Sequence, residues 1–158
     1  MRTTKILLIL LLSALSVTLS AKEVTEDDVL GFWLSQERTA MIQIKKEKGK
    51  IVGDMVWLKR IHTGEVKDIF DVENPKKSKR SRSLMGLRML KGFKFKGKKW
   101  SGGEIYDPKS GKTYDSTMKL KDANTLKLRG FIGISLIGKT RTWSRQRSAT
   151  PDIDKPLD

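Results

Sequence analysis

Cysteine is absent from this chain of 158 residues, and histidine occurs only once, as His62. The absence of thiols excludes disulfide bonds, thiol nucleophiles and thiolate metal sites. With one imidazole, any serine–histidine pair would have to use His62, and no Gly-x-Ser-x-Gly elbow accompanies it. We interpret His62 as a solvent-exposed loop side chain, and we expect neither a metal nor another cofactor.

Long apolar runs are also scarce. The unbroken run from Ile6 to Leu12 follows a positive start with Arg2 and Lys5, and small residues come after it. The run is too short for a comfortable membrane span, so we predict a secretory signal peptide over residues 1–21 rather than an uncleaved anchor. The predicted compartment is the periplasm or the extracellular space, which suits a chain without cysteine. The two candidate cleavage positions follow Ser20 and Ala21.

The rest of the chain divides by composition. Residues 22–29 form a polar, acidic lead-in, residues 30–147 carry the regular apolar pattern of one domain, and residues 148–158 contain Pro151 and Pro156. We interpret the last segment as a flexible tail. One domain of this length is long enough to bury a core.

Acidic residues are few beside the basic ones: 18 against 33, for a formal net charge of +15. A charge of this size concerns partners rather than fold. The basic segment Lys76, Lys77, Lys79, Arg80 and Arg82 is interrupted only by serines. It is a candidate contact for an anionic surface such as envelope lipid or polysaccharide. The alternative is a solvated loop without a partner.

Short segments with alternating apolar residues, separated by turns, make up the domain, and no amphipathic helix of useful length interrupts them. The turn at Asp107–Gly111 is the clearest, because proline presets φ and glycine tolerates positive φ. This spacing predicts an all-β fold, an eight-stranded antiparallel up-and-down barrel. The predicted strands are 31–34, 39–45, 50–59, 84–95, 99–106, 113–120, 125–132 and 134–146.

Aromatic and soft side chains recur on these strands and are the candidates for the barrel lining. An eight-stranded barrel lies at the size where side chains either fill the interior or leave room for one small ligand, and both alternatives stay open. Glu104 would be the polar anchor of such a pocket. The other candidate lining residues are Met55, Trp57, Met89, Phe93, Trp100, Tyr106, Tyr114 and Met118.

The pattern Gly133-x-x-x-x-Gly138-Lys139-Thr140 matches the phosphate-binding P-loop. A P-loop requires a strand-to-helix junction, whose helix N-terminus faces the phosphate. Here the residues between the glycines are mostly apolar, and the segment after Thr140 has the composition of a strand. We therefore predict no nucleotide and assign the glycines to bends and close strand packing. Nucleic acid is also not the expected partner of an exported chain.

Gly31-Phe32-Trp33 resembles the Gly-x-Trp opening of lipocalins and other calycins. In those barrels a basic residue of the last strand packs across the tryptophan, and Arg145 stands where that residue is expected. The resemblance implies that Gly31, Trp33, Trp143 and Arg145 close one end of the barrel and are structural.

A second resemblance covers residues 31–145 and is densest in the C-terminal half. Its segments include Trp100–Tyr114, Leu128–Gly133 and Gly138–Arg145. The chain is similar there to an uncharacterised exported bacterial family, the domain of unknown function 2147. That family implies no activity, and the basic segment departs from its pattern.

Three hypotheses follow from the sequence. The first is a non-enzymatic exported barrel that binds a small apolar or amphipathic molecule. The second is an envelope-associated interaction protein that acts through its basic surface around a filled barrel. The third and least favoured is a hydrolase using carboxylates, for which Asp54, Glu104 and Asp107 are the candidates.

Overall fold

The computed structural model describes residues 23–134 and 136–151; the predicted signal peptide and most of the predicted tail lie outside them. Eight antiparallel strands form a closed barrel in which each strand pairs with the next and β8 pairs with β1. This confirms the predicted up-and-down barrel. The strands are β1 Gly31–Leu34, β2 Ala40–Glu47, β3 Lys50–Leu58, β4 Arg88–Lys96, β5 Lys99–Asp107, β6 Lys112–Asp122, β7 Thr125–Phe131 and β8 Gly138–Gln146.

Among the described residues, three helical turns accompany the barrel. A 3-10 turn at Glu26–Val29 precedes β1, a short helix α1 spans Lys59–His62, and a second 3-10 turn spans Lys77–Lys79. We call the barrel end that carries the Glu26–Val29 turn the base and the opposite end the mouth. Because successive strands alternate in direction, the mouth carries four connections. These are residues 35–39, 59–87, 108–111 and 132–137.

Two strand boundaries differ from the sequence prediction by four residues, and the others agree with it within two. β4 begins at Arg88 rather than Leu84, because residues before it leave the sheet to form the connection over the mouth. That connection is fastened to β3: Gly86 N–H donates to the Met55 carbonyl at 2.7 Å, and Met55 N–H donates to the Leu87 carbonyl at 2.9 Å. β8 begins at Gly138 rather than Ile134, since the residues between β7 and β8 form an exposed loop.

Large side chains fill the barrel. Trp33, Phe93 and Trp100 are fully buried and belong to one continuous apolar core. Among the predicted lining residues, most lie in that core and pack against one another. The core members from that prediction are Met55, Met89, Phe93, Trp100, Tyr106 and Met118.

Trp57 is one of the exceptions, and its predicted place in the barrel lining is wrong. A bulge pairs Met41 with Trp57 but Ile42 with Met55, which leaves Val56 as an extra residue on β3. The extra residue breaks the two-residue alternation, so Trp57 no longer shares a face with Met55. Trp57 instead packs in a second, smaller cluster with Leu34 and Met41.

Candidate functional site

The base of the barrel is sealed by indole hydrogen bonds to the turn that precedes β1. Trp33 Nε1 donates to the Val29 carbonyl at 2.8 Å, and Trp100 Nε1 donates to the Glu26 carbonyl at 3.0 Å. Buried indole N–H groups need a partner, and here two of them fix the same helical turn across the barrel end. The turn therefore acts as a plug.

Arg145 holds this plug in place. Its guanidinium lies 4.3 Å from the centre of the Trp33 ring. Nε donates to the Ala123 carbonyl and Nη1 to the Leu30 carbonyl, each at 2.7 Å, and Nη2 donates to the Asp28 carbonyl. Burial lowers the pKa of Arg145, while the nearby Asp28 charge acts in the opposite direction. The arrangement joins three chain segments, and each of the three guanidinium nitrogens donates to a backbone carbonyl.

The other two residues of the predicted closure lie beside it. Gly31 has a φ of +120°, and a Cβ built there would stand 3.2 Å from Nη1 of Arg145. Trp143 is buried in the core and pairs with Leu126 across the β7–β8 ladder. Both positions therefore serve packing at the base end of the fold.

A cleft of about 610 Å³ beside this closure contains both signs of charge. Asp27, Asp28 and Asp122 line it together with Lys121 and Arg145. Since Arg145 is engaged with backbone carbonyls, the charge left to a ligand is mostly negative. The base is a poor match for an anion and has few exposed apolar side chains.

The mouth carries a buried polar network that ties the long connection to β5. The Tyr106 hydroxyl donates to Oδ1 of Asp71 at 2.6 Å. Asn74 Nδ2 donates to Oδ2 of Asp71 at 2.8 Å and to the Tyr106 hydroxyl at 3.0 Å. Arg82 completes the network, with Nε 2.8 Å and Nη2 2.7 Å from Oδ2 of Asp71.

Asp71 is ionised in this network. Burial opposes its charge, but hydrogen bonds from Tyr106, Asn74 and Arg82 outweigh burial and hold the pKa of Asp71 below its ordinary value. Burial and the bond to Asp71 raise the pKa of Tyr106, which therefore stays protonated as a donor. Asp71 and Asn74 are 0% and 4% exposed, so the network positions the connection and is not itself the ligand surface.

Next to this network lies a cleft of about 400 Å³, which we call the mouth cleft. It lies between the connection 59–87, β4, β5 and the start of β6. Its apolar walls include Pro75, Met85 and Leu87, and no acidic side chain lines it. Five basic residues do: Lys76, Lys79, Arg82, Arg88 and Lys91.

Two of these five cations are already neutralised. Arg82 is paired with Asp71 as described. Arg88 places Nη1 and Nη2 each 3.0 Å from Glu47 carboxylate oxygens and directs Nε to Asp54. The hydrogen bonds from Arg88 lower the pKa of Glu47, and at Asp54 they outweigh the opposing effect of burial. These guanidiniums are structural, and their remaining N–H groups lie at the edge of the cleft.

The three lysines of the mouth cleft are different. Lys76, Lys79 and Lys91 are exposed and form no ion pair with any residue that the structure describes. No carboxylate lies within ion-pairing distance of their ammonium groups among the described residues, although Glu104 stands opposite Lys91 in the sheet. The mouth cleft therefore combines unpaired positive charge with an apolar surface.

The predicted anionic-surface contacts divide between the cleft and its surroundings. Lys76, Lys79 and Arg82 line the mouth cleft. Lys77 is exposed in the 3-10 turn, and Arg80 is used to brace the connection, since its Nε donates to the Asn74 carbonyl at 2.8 Å. The segment is thus an ordered structure rather than a featureless basic loop.

Glu104 does not lie where an anchor would have to lie. It is exposed and pairs in the sheet with Lys91 on one side and Asp115 on the other. Its neighbours Gly103 and Ile105 face the core, so Glu104 points outward. The hypothesis of Glu104 as the polar anchor of an interior pocket is wrong for this geometry, because a bulge between Trp100 and Gly103 reverses the predicted face.

Tyr114, also predicted to line the barrel, is only half-buried, and its side chain lies near Gly130.

The carboxylates considered for hydrolysis serve separate structural roles. Asp54 belongs to the Arg88 ion cluster, and Asp107 accepts from Lys109 N–H at 3.0 Å and from the Ser110 hydroxyl at 2.7 Å within its turn. His62 is exposed, and its ring centre lies 5.5 Å from that of Trp57 with the two planes tilted by 49°. Among residues 23–134 and 136–151, no group of three or more metal-ligating side chains converges.

Comparison with known proteins places the chain. The family model described as "Uncharacterized protein conserved in bacteria (DUF2147)" matches residues 31–145. The chain belongs to this family. The match runs from the first residue of β1 to Arg145, so it includes both the base closure and the elements that form the mouth cleft.

A solved structure shares the fold. HP1028 from the human pathogen Helicobacter pylori, described as belonging to the lipocalin family, superimposes with a TM-score of 0.66. The two chains are 23% identical, and the match covers 74% of this chain and 82% of that chain. The protein is therefore a lipocalin-like barrel of the DUF2147 family. No curated protein matches the sequence.

Sequence reasoning missed the residues that shape the mouth cleft. Asp71 and Asn74 stand in the irregular connection, where alternation gives no orientation, and Lys91 stands on β4 beside apolar residues. One signal was available: Asn74-Pro75 belongs to the segments that resemble the family. An asparagine before proline indicates a fixed turn, and a fixed turn in a long loop indicates an ordered loop.

Proposed function

We propose that this protein binds small amphipathic molecules with an anionic headgroup in the mouth cleft. The observation that carries the proposal is the composition of the cleft: unpaired lysines, no carboxylate and an apolar wall. A carboxylate, sulfate or phosphate group would pair with Lys76, Lys79 or Lys91, and a short apolar portion would lie against Met85 and Leu87. Charge-assisted contacts of this kind are stronger than neutral hydrogen bonds.

The size of the cleft supports this class of ligand. A volume of about 400 Å³ is within the ordinary range for small-molecule sites. The barrel interior is occupied by Trp33, Phe93 and Trp100, which are fully buried in the core, and the larger cleft at the base is lined by three carboxylates that disfavour an anion. A ligand would accordingly bind at the mouth rather than deep in the barrel.

The cleft is also braced, which favours binding. The network of Asp71, Asn74 and Tyr106 fixes the connection against β5, and Arg80 and Arg82 fix the basic segment against the same connection. Cations held on an ordered wall lose less conformational freedom when an anion binds than cations on a free loop. We place this activity in the exported compartment that the predicted signal peptide implies.

The test is a titration with anilinonaphthalene sulfonate, a fluorescent probe that carries one anionic group on an apolar body. The cleft variant is Lys79→Gln with Lys91→Gln, and the matched control is Lys96→Gln with Lys98→Gln, which removes the same charge at the base end. Each lost charge-assisted contact is worth about 1.5–3 kcal/mol, so we expect at least about a tenfold rise in Kd for the cleft variant only.

Two results would count against the proposal. One is equal affinity of the cleft variant and the base control, which would mean that overall charge alone attracts the probe. The other is equal affinity for an uncharged naphthalene probe of the same size, which would remove the role of the headgroup. Thermal unfolding of both variants should match that of the unaltered chain, because all four lysines are exposed.

A further inference from the structure

The loop between β7 and β8 exposes a dense group of large aliphatic side chains. Ile132, Ile134, Leu136 and Ile137 are 70%, 60%, 85% and 73% exposed, and we call these four residues the apolar tip. No described residue covers them. A group of this kind on a surface that is otherwise rich in charge indicates contact with an apolar partner.

The distribution of exposed apolar residues is one-sided. Besides the apolar tip, the large hydrophobic side chains that are exposed in the described part of the chain are Phe70, Val72 and Met85. All three belong to the connection 59–87, so every one of the seven lies in a mouth loop. The base, by contrast, carries turns with polar and charged residues. The mouth end of the barrel therefore has the surface of a docking face.

The loop that carries the apolar tip is held in place from below. Arg129 on β7 donates from Nη2 to the Leu136 carbonyl and from Nη1 to the Thr140 hydroxyl, each at 3.1 Å. Lys139 and Arg141 are exposed on β8 just beneath the loop. Nε of Arg141 lies 3.7 Å from Oε1 of Glu37 in the β1–β2 loop. Aliphatic side chains thus project beyond a row of cations.

We propose that the mouth end docks on an anionic phospholipid bilayer, with the apolar tip inserted among the lipids and Lys139 and the basic segment at the headgroups. Aliphatic side chains above a basic rim match the order of layers in a bilayer surface, where apolar chains lie beneath anionic headgroups. No helix among the described residues has the length and apolarity needed to cross a membrane, so this contact is a surface attachment in the proposal.

Charge favours a bilayer over a second copy of this chain. In a symmetric dimer through the mouth, Lys76, Lys77, Lys79 and Lys139 of one copy would face the same residues of the other. Like charges repel in such an interface, whereas an anionic lipid surface attracts all of them. The docking proposal is argued from the apolar tip, whereas the role of docking rests on the proposed function. In the docked protein the mouth cleft would open at the bilayer surface, where an amphipathic ligand could be taken up or delivered.

The first experiment is co-sedimentation with vesicles of phosphatidylcholine alone and of phosphatidylcholine mixed with phosphatidylglycerol. We expect binding to the mixed vesicles, weakened by salt because exposed charges are screened. Leu136→Asp should reduce the partition coefficient about tenfold or more, since burying one leucine contributes about 1.5–3 kcal/mol. Lys98→Gln, which lowers the net charge by the same unit at the base end, should change it little. Equal losses in the two variants would overturn tip insertion.

The second experiment places a reporter in the tip. The four native tryptophans are buried: the exposed fraction is 0% for Trp33 and Trp100 and 5% for Trp57 and Trp143. In Leu136→Trp the new indole should be the only one strongly exposed in water within the described chain, and its emission should shift to the blue when mixed vesicles are added. Brominated lipid should quench it. Vesicle binding without either change would show attachment through charge alone and would refute the inserted tip.

Two further readings separate the alternatives. Sedimentation velocity without lipid tests self-association: a dimer that Leu136→Asp abolishes would overturn the bilayer in favour of a second copy. The anionic fluorescent probe separates this proposal from the proposed function. Leu136→Asp should bind that probe normally. Lys91→Gln should retain Leu136-dependent vesicle binding, because Lys91 lines the mouth cleft but does not belong to the basic segment at the headgroups. If the unaltered chain binds mixed vesicles through Leu136 but does not bind the probe, the proposed function fails and the docking proposal stands.

Discussion

Replacement of Arg145 by alanine should destabilise the barrel without altering the mouth cleft. Arg145 connects β8 with the plug before β1 and with the β6–β7 turn, and its guanidinium covers the Trp33 ring. No other described side chain joins these three segments through one group. The substitution therefore removes a fastening at the base, while the residues that form the cleft belong to the opposite end.

The size of the effect follows from the contacts that water cannot replace. The Ala123 carbonyl lies at an exposed turn and will hydrate, but the Leu30 and Asp28 carbonyls are partly buried under the guanidinium. Each hydrogen bond to a charged donor contributes about 1.5 kcal/mol or somewhat more, and stacking on the indole contributes about 1 kcal/mol. Allowing for hydration, we expect a loss of about 3 kcal/mol in the free energy of unfolding, or roughly 6–12 °C in Tm.

Urea unfolding followed by tryptophan fluorescence measures this loss, because all four tryptophans are buried in the folded chain. Arg147→Ala is the matched control: the residue is exposed just beyond β8 and should cost about 0.5 kcal/mol or less. Arg145→Lys should fall between the two, since an ammonium keeps the charge but loses the planar fork. A loss below about 1 kcal/mol in Arg145→Ala, or a loss equal to that of Arg147→Ala, would refute this reasoning.

Two other substitutions test the mouth. Hydrogen bonds keep the pKa of Asp71 lower in the folded chain than in the unfolded chain. The contribution of Asp71 to the free energy of unfolding is therefore fully present above its unfolded pKa of about 3.9, and it is lost as pH falls through its folded pKa. Asp71→Asn should thus cost about 2 kcal/mol near neutral pH, and the difference should shrink in acid; a pH-independent difference would contradict the network. Gly111→Ala should lower both stability and probe affinity, since its Cβ would lie 1.9 Å from the Glu73 carbonyl oxygen. Gly97→Ala is the control, because Gly97 also has a positive φ but an added Cβ there would meet nothing within 4 Å. Equal behaviour of the two glycine variants, measured by urea unfolding and probe titration, would contradict the close packing of the connection.

The number of strands and their order could be predicted because both depend on local signals. Apart from β3, which leads into the long connection 59–87, the strands are joined by short turns with glycine, proline or polar residues, and strands joined in this way pair with one another. The start of β4 could not be predicted in this way. Leu84 and Leu87 have the apolar character of strand residues, but they belong to the connection and pack into the core from there. Apolar composition identifies burial and does not identify the element that supplies it.

The faces of the strands were harder to predict than the strands themselves. Trp57 and Glu104 both follow a bulge, and one extra residue moves the side chains after it to the opposite face. Tyr106 also follows the β5 bulge, but it is buried against Asp71 and Asn74 of the connection. Bulges arise from the fit between two strands that curve around a barrel, so a single strand's alternation does not reveal them. This is why the predicted lining was right in residue type but included two residues that lie outside.

The mouth cleft depends on contacts between distant parts of the chain. Asp71 contacts the Tyr106 hydroxyl although the two residues are 35 positions apart in the sequence, and Asn74 contacts the same hydroxyl from 32 positions away. No periodicity relates residues at such separations, and an aspartate in an irregular segment resembles any other solvated acid. Only the closed barrel brings the connection onto β5 and places Lys76, Lys79 and Lys91 around one cleft.

The P-loop pattern on the β7–β8 hairpin has a physical explanation without phosphate. Gly133 adopts a φ of +71° where the chain leaves β7, and a Cβ on Gly138 would stand 2.5 Å from the Gly130 carbonyl oxygen as the chain enters β8. The hairpin therefore requires glycine at both positions. Ile134, Leu136 and Ile137 between them are exposed and aliphatic, which opposes phosphate and favours an apolar partner. Lys139 follows on a strand rather than at a helix N-terminus. The same spacing of residues that resembles a nucleotide site is, in this fold, the geometry that presents the apolar tip.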